Sequence, residues 1–124
     1  MQAGILNSIW MLPQVKKELG RALELDSTRQ GTLTGLGELY LQVPEIMGGS
    51  RAKSRHFLET AVAMYPNASD SRLWLAKLDL AEGLSSEASA QLDTLLAIDN
   101  PDNPALFILY EGPEAGRLRA KLGR

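Results

Sequence analysis

Residues 35–66 read GLGELYLQVPEIMGGSRAKSRHFLETAVAMYP, and residues 74–100 read WLAKLDLAEGLSSEASAQLDTLLAIDN. Both stretches space their large apolar residues three and four apart, break at glycine, resume, and stop at proline or asparagine. Leu58, Ala61 and Pro66 of the first fall on Leu92, Leu95 and Asn100 of the second, 34 residues later in each case. A helix pair repeated at that period is too small to bury its own apolar face and does so by stacking on its neighbours. The expected fold is therefore all-α: an α-solenoid of antiparallel helix pairs in one domain, residues 1–124.

Working outward, Pro13 to Asp26 reads as the second helix of a partial first repeat (residues 1–27), with Lys16, Lys17 and Arg21 facing water. Repeats over 28–67 and 69–102 and a C-terminal cap over 103–124 follow. The first full repeat pairs a helix over Thr28 to Gln42 with one over Ser50 to Tyr65, separated by an insertion, Val43 to Ser50. Pro44 stops the first helix, Gly48 and Gly49 can supply positive φ, and Ser50 caps the second. Gly31, Gly35 and Gly37 each weaken a helix by about 1 kcal/mol relative to alanine, which predicts a close neighbouring helix. In the next repeat Asp70 or Ser69 is expected to cap Ser71 to Glu82, Gly83 to end it, and Ser85 or Ser86 to open a helix to Ile98. Asn100, Pro101, Asn103 and Pro104 form a break. Pro104 to Tyr110 reads as a short helix or an extended segment, and Pro113 to Leu122 as a basic helix giving the solenoid a polar end.

Composition narrows the function classes. The hydrophobic fraction, 44%, suffices for a continuous core, and the absence of cysteine removes disulfides, thiolate metal sites and cysteine nucleophiles together. It leaves cytoplasm and periplasm both open. The N-terminus lacks a basic region before its apolar part, so neither a secretory signal nor a membrane span is read there. A net charge of −2 hides an asymmetry: residues 70–114 carry nine acids against Arg72 and Lys77, and residues 115–124 carry four cations and no acid. With seven aromatics in the chain and none in that basic tail, nucleic acid is not an expected partner. Ile5, Leu6, Ile9, Trp10 and Leu12 would leave apolar surface uncovered on an incomplete first repeat. The expected remedy is a homo-oligomer formed through residues 5–23, or a further helix preceding Met1.

The spacing Leu36-Gly37-x2-Tyr40, then Leu58-x2-Ala61-x4-Pro66, resembles the tetratricopeptide repeat, and Leu75, Ala76, Gly83, Ala88, Leu92 and Leu95 match its pattern in the second copy. Asp79 stands where that family places an aromatic and Arg72 where it places tryptophan. The loop Pro44-Glu45-Ile46-Met47-Gly48-Gly49-Ser50, leading to Lys53 and Phe57-Leu58-Glu59-x-Ala61, is similar to that of the T components of tripartite ATP-independent periplasmic (TRAP) transporters. That resemblance implies an accessory subunit that pairs with a solute-binding protein, or one whose glycine loop and Leu106 to Tyr110 enclose a small apolar ligand.

The repeat resemblance implies a non-enzymatic scaffold for a protein or peptide partner, with Thr34, Glu38, Leu73, Lys77 and Leu80 at positions that line the concave groove. The family's carboxylate clamp uses lysine, arginine and asparagine, but Asn7, Asn67, Asn100 and Asn103 lie off those helix faces. Gly48, Gly49 and Ser50, with Arg51 and Lys53 nearby, could hold an anion at a helix N-terminus, or could be turn chemistry alone. His56, the one histidine, lacks partners at ligand spacing and sees only Glu59 one turn away. No catalytic residue, metal or cofactor is expected.

Overall fold

The computed structural model describes residues 17, 18, 21 and 29–123. Lys17, Glu18 and Arg21 are helical and exposed. The expected interface through residues 5–23 otherwise lies outside the described residues.

Helix α1 spans Gln30–Gln42 and α2 spans Arg51–Met64. Between them Pro44 ends the first helix, Glu45–Met47 makes one 3-10 turn, and Gly48 takes φ 106°. Gly49 is needed for a different reason from the one its neighbour suggests. It does not adopt positive φ; it passes so close to Val43 that a Cβ would sit 1.8 Å from the carbonyl oxygen. The folded-back loop lets the Ser50 amide donate to Tyr40 O at 3.0 Å. The Ser50 hydroxyl accepts from the Lys53 amide at 3.1 Å, capping α2.

The two helices then meet at Gly37. A Cβ there would lie 2.5 Å from Leu58 Cγ, and Ser54 Oγ donates to Gly37 O at 2.7 Å, so the Leu58 side chain and the Ser54 hydroxyl pack directly on the bare Gly37 backbone. Gly31 differs, since open space surrounds it and no packing demand explains it.

Helix α3 spans Ser69–Ala81 and α4 Ser85–Leu96, joined through Gly83 at φ 76°. Neither helix has the side-chain cap that the sequence leads one to expect: Ala68 and Leu84 occupy the N-cap positions. At α3 tertiary partners have recruited the candidates instead, whereas Ser85 and Ser86 of α4 stand exposed. Ser69 donates its hydroxyl to Glu111, and Asp70 accepts from Gln30 Nε2 at 2.8 Å.

The C-terminal segment is helical throughout. Pro104–Leu106, capped by Asn103, passes into a π-helical stretch, Phe107–Glu111, and on into Gly112–Leu122. Residues 104–122 thus run as one continuous helix, α5. A proline in a helix lacks an amide and presses on the carbonyl one turn back. The wider π turn, in which the Gly112 amide bonds Phe107 O, accommodates Pro113. Gly112 is suited to the bend because a Cβ there would come within 2.9 Å of that carbonyl.

Stacking is that of a solenoid: α1 packs on α2, α2 on α3, α3 on α4 and α4 on α5, while α1 and α3 also touch. One core cluster joins Leu58, Leu75 and Leu78 with Leu41, Val62 and Trp74. The other joins Leu73, Ala76, Leu92, Leu95 and Ala115 with Phe107, Leu118 and Leu122, so α5 closes the second pair. Among the described residues there is no strand, and no helix is long and apolar enough to cross a membrane.

Candidate functional site

Helices α1, α3 and α5, one from each step of the stack, face a shared open groove of about 630 Å³. α1 contributes Glu38; α3 contributes Asp70, Leu73, Trp74 and Lys77; α5 contributes Leu109 to Glu111, Pro113, Glu114 and Arg117. Lys77 is the hinge of its electrostatics. Its ammonium lies 4.6 Å from the centre of the Trp74 ring and 3.5 Å from Glu114 Oε2. Glu114 also takes both Nε and Nη2 of Arg117, at 2.8 and 2.9 Å. The Arg117 hydrogen bond, then the nearby charges of Arg117 and Lys77, hold its carboxyl below the usual range. Burial pushes Glu38 up, against the pull of Lys77, and pushes Glu111 up, against its hydrogen bond from Ser69.

Of the five groove residues read from the sequence, Glu38, Leu73 and Lys77 line this groove. Thr34 lies behind it, where its hydroxyl meets Ser71 Oγ at 2.7 Å and Gln30 Nε2 at 2.9 Å, locking α1 to α3. Leu80 is half-buried on α3 and does not line the groove. On the α5 wall the sequence singles out Leu109 and Tyr110 only as part of a segment enclosing a small apolar ligand, and Glu111, Pro113, Glu114 and Arg117 are not among its groove residues. One signal was available there: Glu111, Glu114 and Arg117 recur every three residues, placing them on one face of a helix.

The Gly48-Gly49-Ser50 turn is internally satisfied. Ser50 accepts from the Lys53 amide, and the Arg51 amide points to Glu45 Oε2 at 3.4 Å, so the chain sets its own carboxylate where an anion would bind. That loop and the Leu106 to Tyr110 segment line grooves with no residue in common, which argues against their enclosing one ligand. Exposed His56 sits edge-on to Phe57 at 5.4 Å. No group of three or more histidines and acids among the described residues is arranged to hold a metal ion.

Where the sequence departs from its repeat pattern, polar partners fill in. Asp79 is 1% exposed and meets Arg55 Nη2 of α2 at 2.7 Å; the same guanidinium reaches Glu82 at 2.7 Å and Glu59 at 3.4 Å. Arg72 bonds Pro66 O and Gln91 Oε1.

The sequence model of the tetratricopeptide repeat matches residues 49–111, half the chain, across the pair α3 and α4 and the helices on either side. The chain belongs to the tetratricopeptide repeat family. No curated protein and no solved structure matches it. Tetratricopeptide repeats generally mediate contacts between proteins, and the groove described here is lined by α1, α3 and α5.

Proposed function

We propose that this chain is a non-enzymatic scaffold that holds a segment of another protein in the groove of α1, α3 and α5. The observation that carries this reading is the α5 wall. Leu109 and Tyr110 are 76% and 70% exposed beside the half-buried Trp74, an apolar surface that a solenoid ordinarily covers with a partner. A photo-crosslinking residue at Tyr110 should form adducts with another protein in the cells that make the chain, while the same residue at exposed Ala63 on α2 should not. Equal labelling from both positions overturns the reading.

A second reading rests on the loop that resembles TRAP T components. Ile46 is 95% exposed at its tip and Met47 stands beside it, an edge suited to a solute-binding protein. Neighbouring genes for a solute-binding protein and a permease, together with co-purification lost on Ile46→Asp, would support it.

A further inference from the structure

The charges of the groove do not balance inside it. Four carboxylates line it, Glu38, Asp70, Glu111 and Glu114, against two cations, Lys77 and Arg117. Both cations turn to the same acid, Glu114. Among the described residues Glu38, Asp70 and Glu111 therefore have no ion-pair partner. Asp70 is satisfied by neutral donors, Gln30 Nε2 and the Ser71 amide, each at 2.8 Å, and Glu111 by the Ser69 hydroxyl. The Glu38 carboxylate accepts no hydrogen bond from any described residue, though Glu38 is half-buried. The Asp70 charge opposes ionisation of both Glu38 and Glu111, as expected of carboxylates gathered round one concavity.

A concave site of one sign, with low-dielectric walls, concentrates the opposite charge and sets the register of what binds. Resting on the reading above that the groove holds a protein segment, we infer that this segment is cationic and apolar. An arginine or lysine of the partner stands among Glu38, Asp70 and Glu111, next to a large apolar residue laid on Leu109 and Tyr110. The cation supplies the donor that Glu38 lacks and relieves the repulsion among the three acids. A segment ending in a carboxylate would meet those acids with no free cation to receive it.

The test uses phage libraries of random dodecapeptides, displayed with a free or a blocked carboxyl end and selected on the full chain. Enriched peptides should pair arginine or lysine with a neighbouring aromatic or large aliphatic residue. The best of them, made synthetically, should lose about tenfold or more in affinity to Glu38→Gln and to Tyr110→Ala, with circular dichroism unchanged, and should weaken with salt. Tyr110 is exposed, so its variant does not threaten folding. Enrichment of acidic or carboxyl-terminal peptides that Tyr110→Ala still abolishes overturns this inference and leaves the groove as a protein site. Binding indifferent to both variants, or no enrichment in either library, overturns the inference and the groove reading together. Self-association of the wild type that Tyr110→Ala abolishes would make a second copy the occupant and overturn the inference.

Discussion

Replacing Arg55 with methionine should destabilise this protein more than replacing the buried acid it serves. The Asp79 side chain is 2% exposed, whereas Arg55 is 28% exposed and keeps Glu82 and Glu59 as partners at the rim. Removing one member of a buried pair costs about 3–5 kcal/mol when the survivor is left charged and unpaired. Arg55→Met leaves that survivor fully buried, but water reaches the vacated rim, so the lower end, about 3 kcal/mol, applies. With a urea slope of about 1.5 kcal/mol per M the midpoint falls by about 2 M. Asp79→Leu leaves Arg55 paired at the surface and should cost about 1 kcal/mol or less, and the double variant should approach wild type because an apolar pair replaces an ionic one.

The pH dependence gives an independent readout. Burial raises the Asp79 carboxyl above its ordinary value, against the pull of Arg55. The folded state therefore holds this proton where the unfolded chain has released it, and stability is lost as pH rises through that window. Without Arg55 the window extends further upward. The deficit of Arg55→Met should then shrink between about pH 7 and about pH 5, since a protonated Asp79 needs no counter-ion. Urea unfolding followed by far-ultraviolet circular dichroism measures both quantities. A loss under about 0.5 kcal/mol, or the same loss at both pH values, refutes the reasoning.

Three further outcomes follow from the packing. Ala61, fully buried between the helices, should not admit leucine without a loss of about 1–3 kcal/mol, whereas Lys53→Leu on the exposed side of α2 should change little; denaturant titration separates them. Gly49→Ala drives a methyl into the Val43 carbonyl and should lower the melting temperature, while Gly31→Ala enters open space in α1 and should raise stability by up to about 1 kcal/mol. Glu111 has a raised folded pKa, so its ionisation weakens the fold as pH rises. Glu111→Gln, which keeps an acceptor for Ser69, should be the more stable protein near neutrality and lose that advantage below the ordinary carboxylate range in pH-dependent melting.

What the sequence settled by itself is local or periodic. The 34-residue spacing, Pro44, the Ser50 cap and the Gly83 stop act within a few residues of themselves, so the helices and their antiparallel pairing follow from them. The role of Gly37 was legible too, because a glycine inside an apolar helix demands a close neighbour, and Leu58 is that neighbour. The groove was only half legible. Glu38, Leu73 and Lys77 lie on regular helices whose period places them, but the opposing wall depends on α5. There an unbroken apolar run has no helical period, and the sequence reads Pro104 to Tyr110 and Pro113 to Leu122 as separate segments. Only the tertiary structure shows the π turn that carries the helix through that proline and sets Leu109 and Tyr110 on the same groove as Trp74. Likewise Arg55 and Asp79 are 24 residues apart. A charge that becomes acceptable in the core only because another helix brings its partner leaves no mark in the local sequence, since the pairing energy exists only after α2 and α3 have packed.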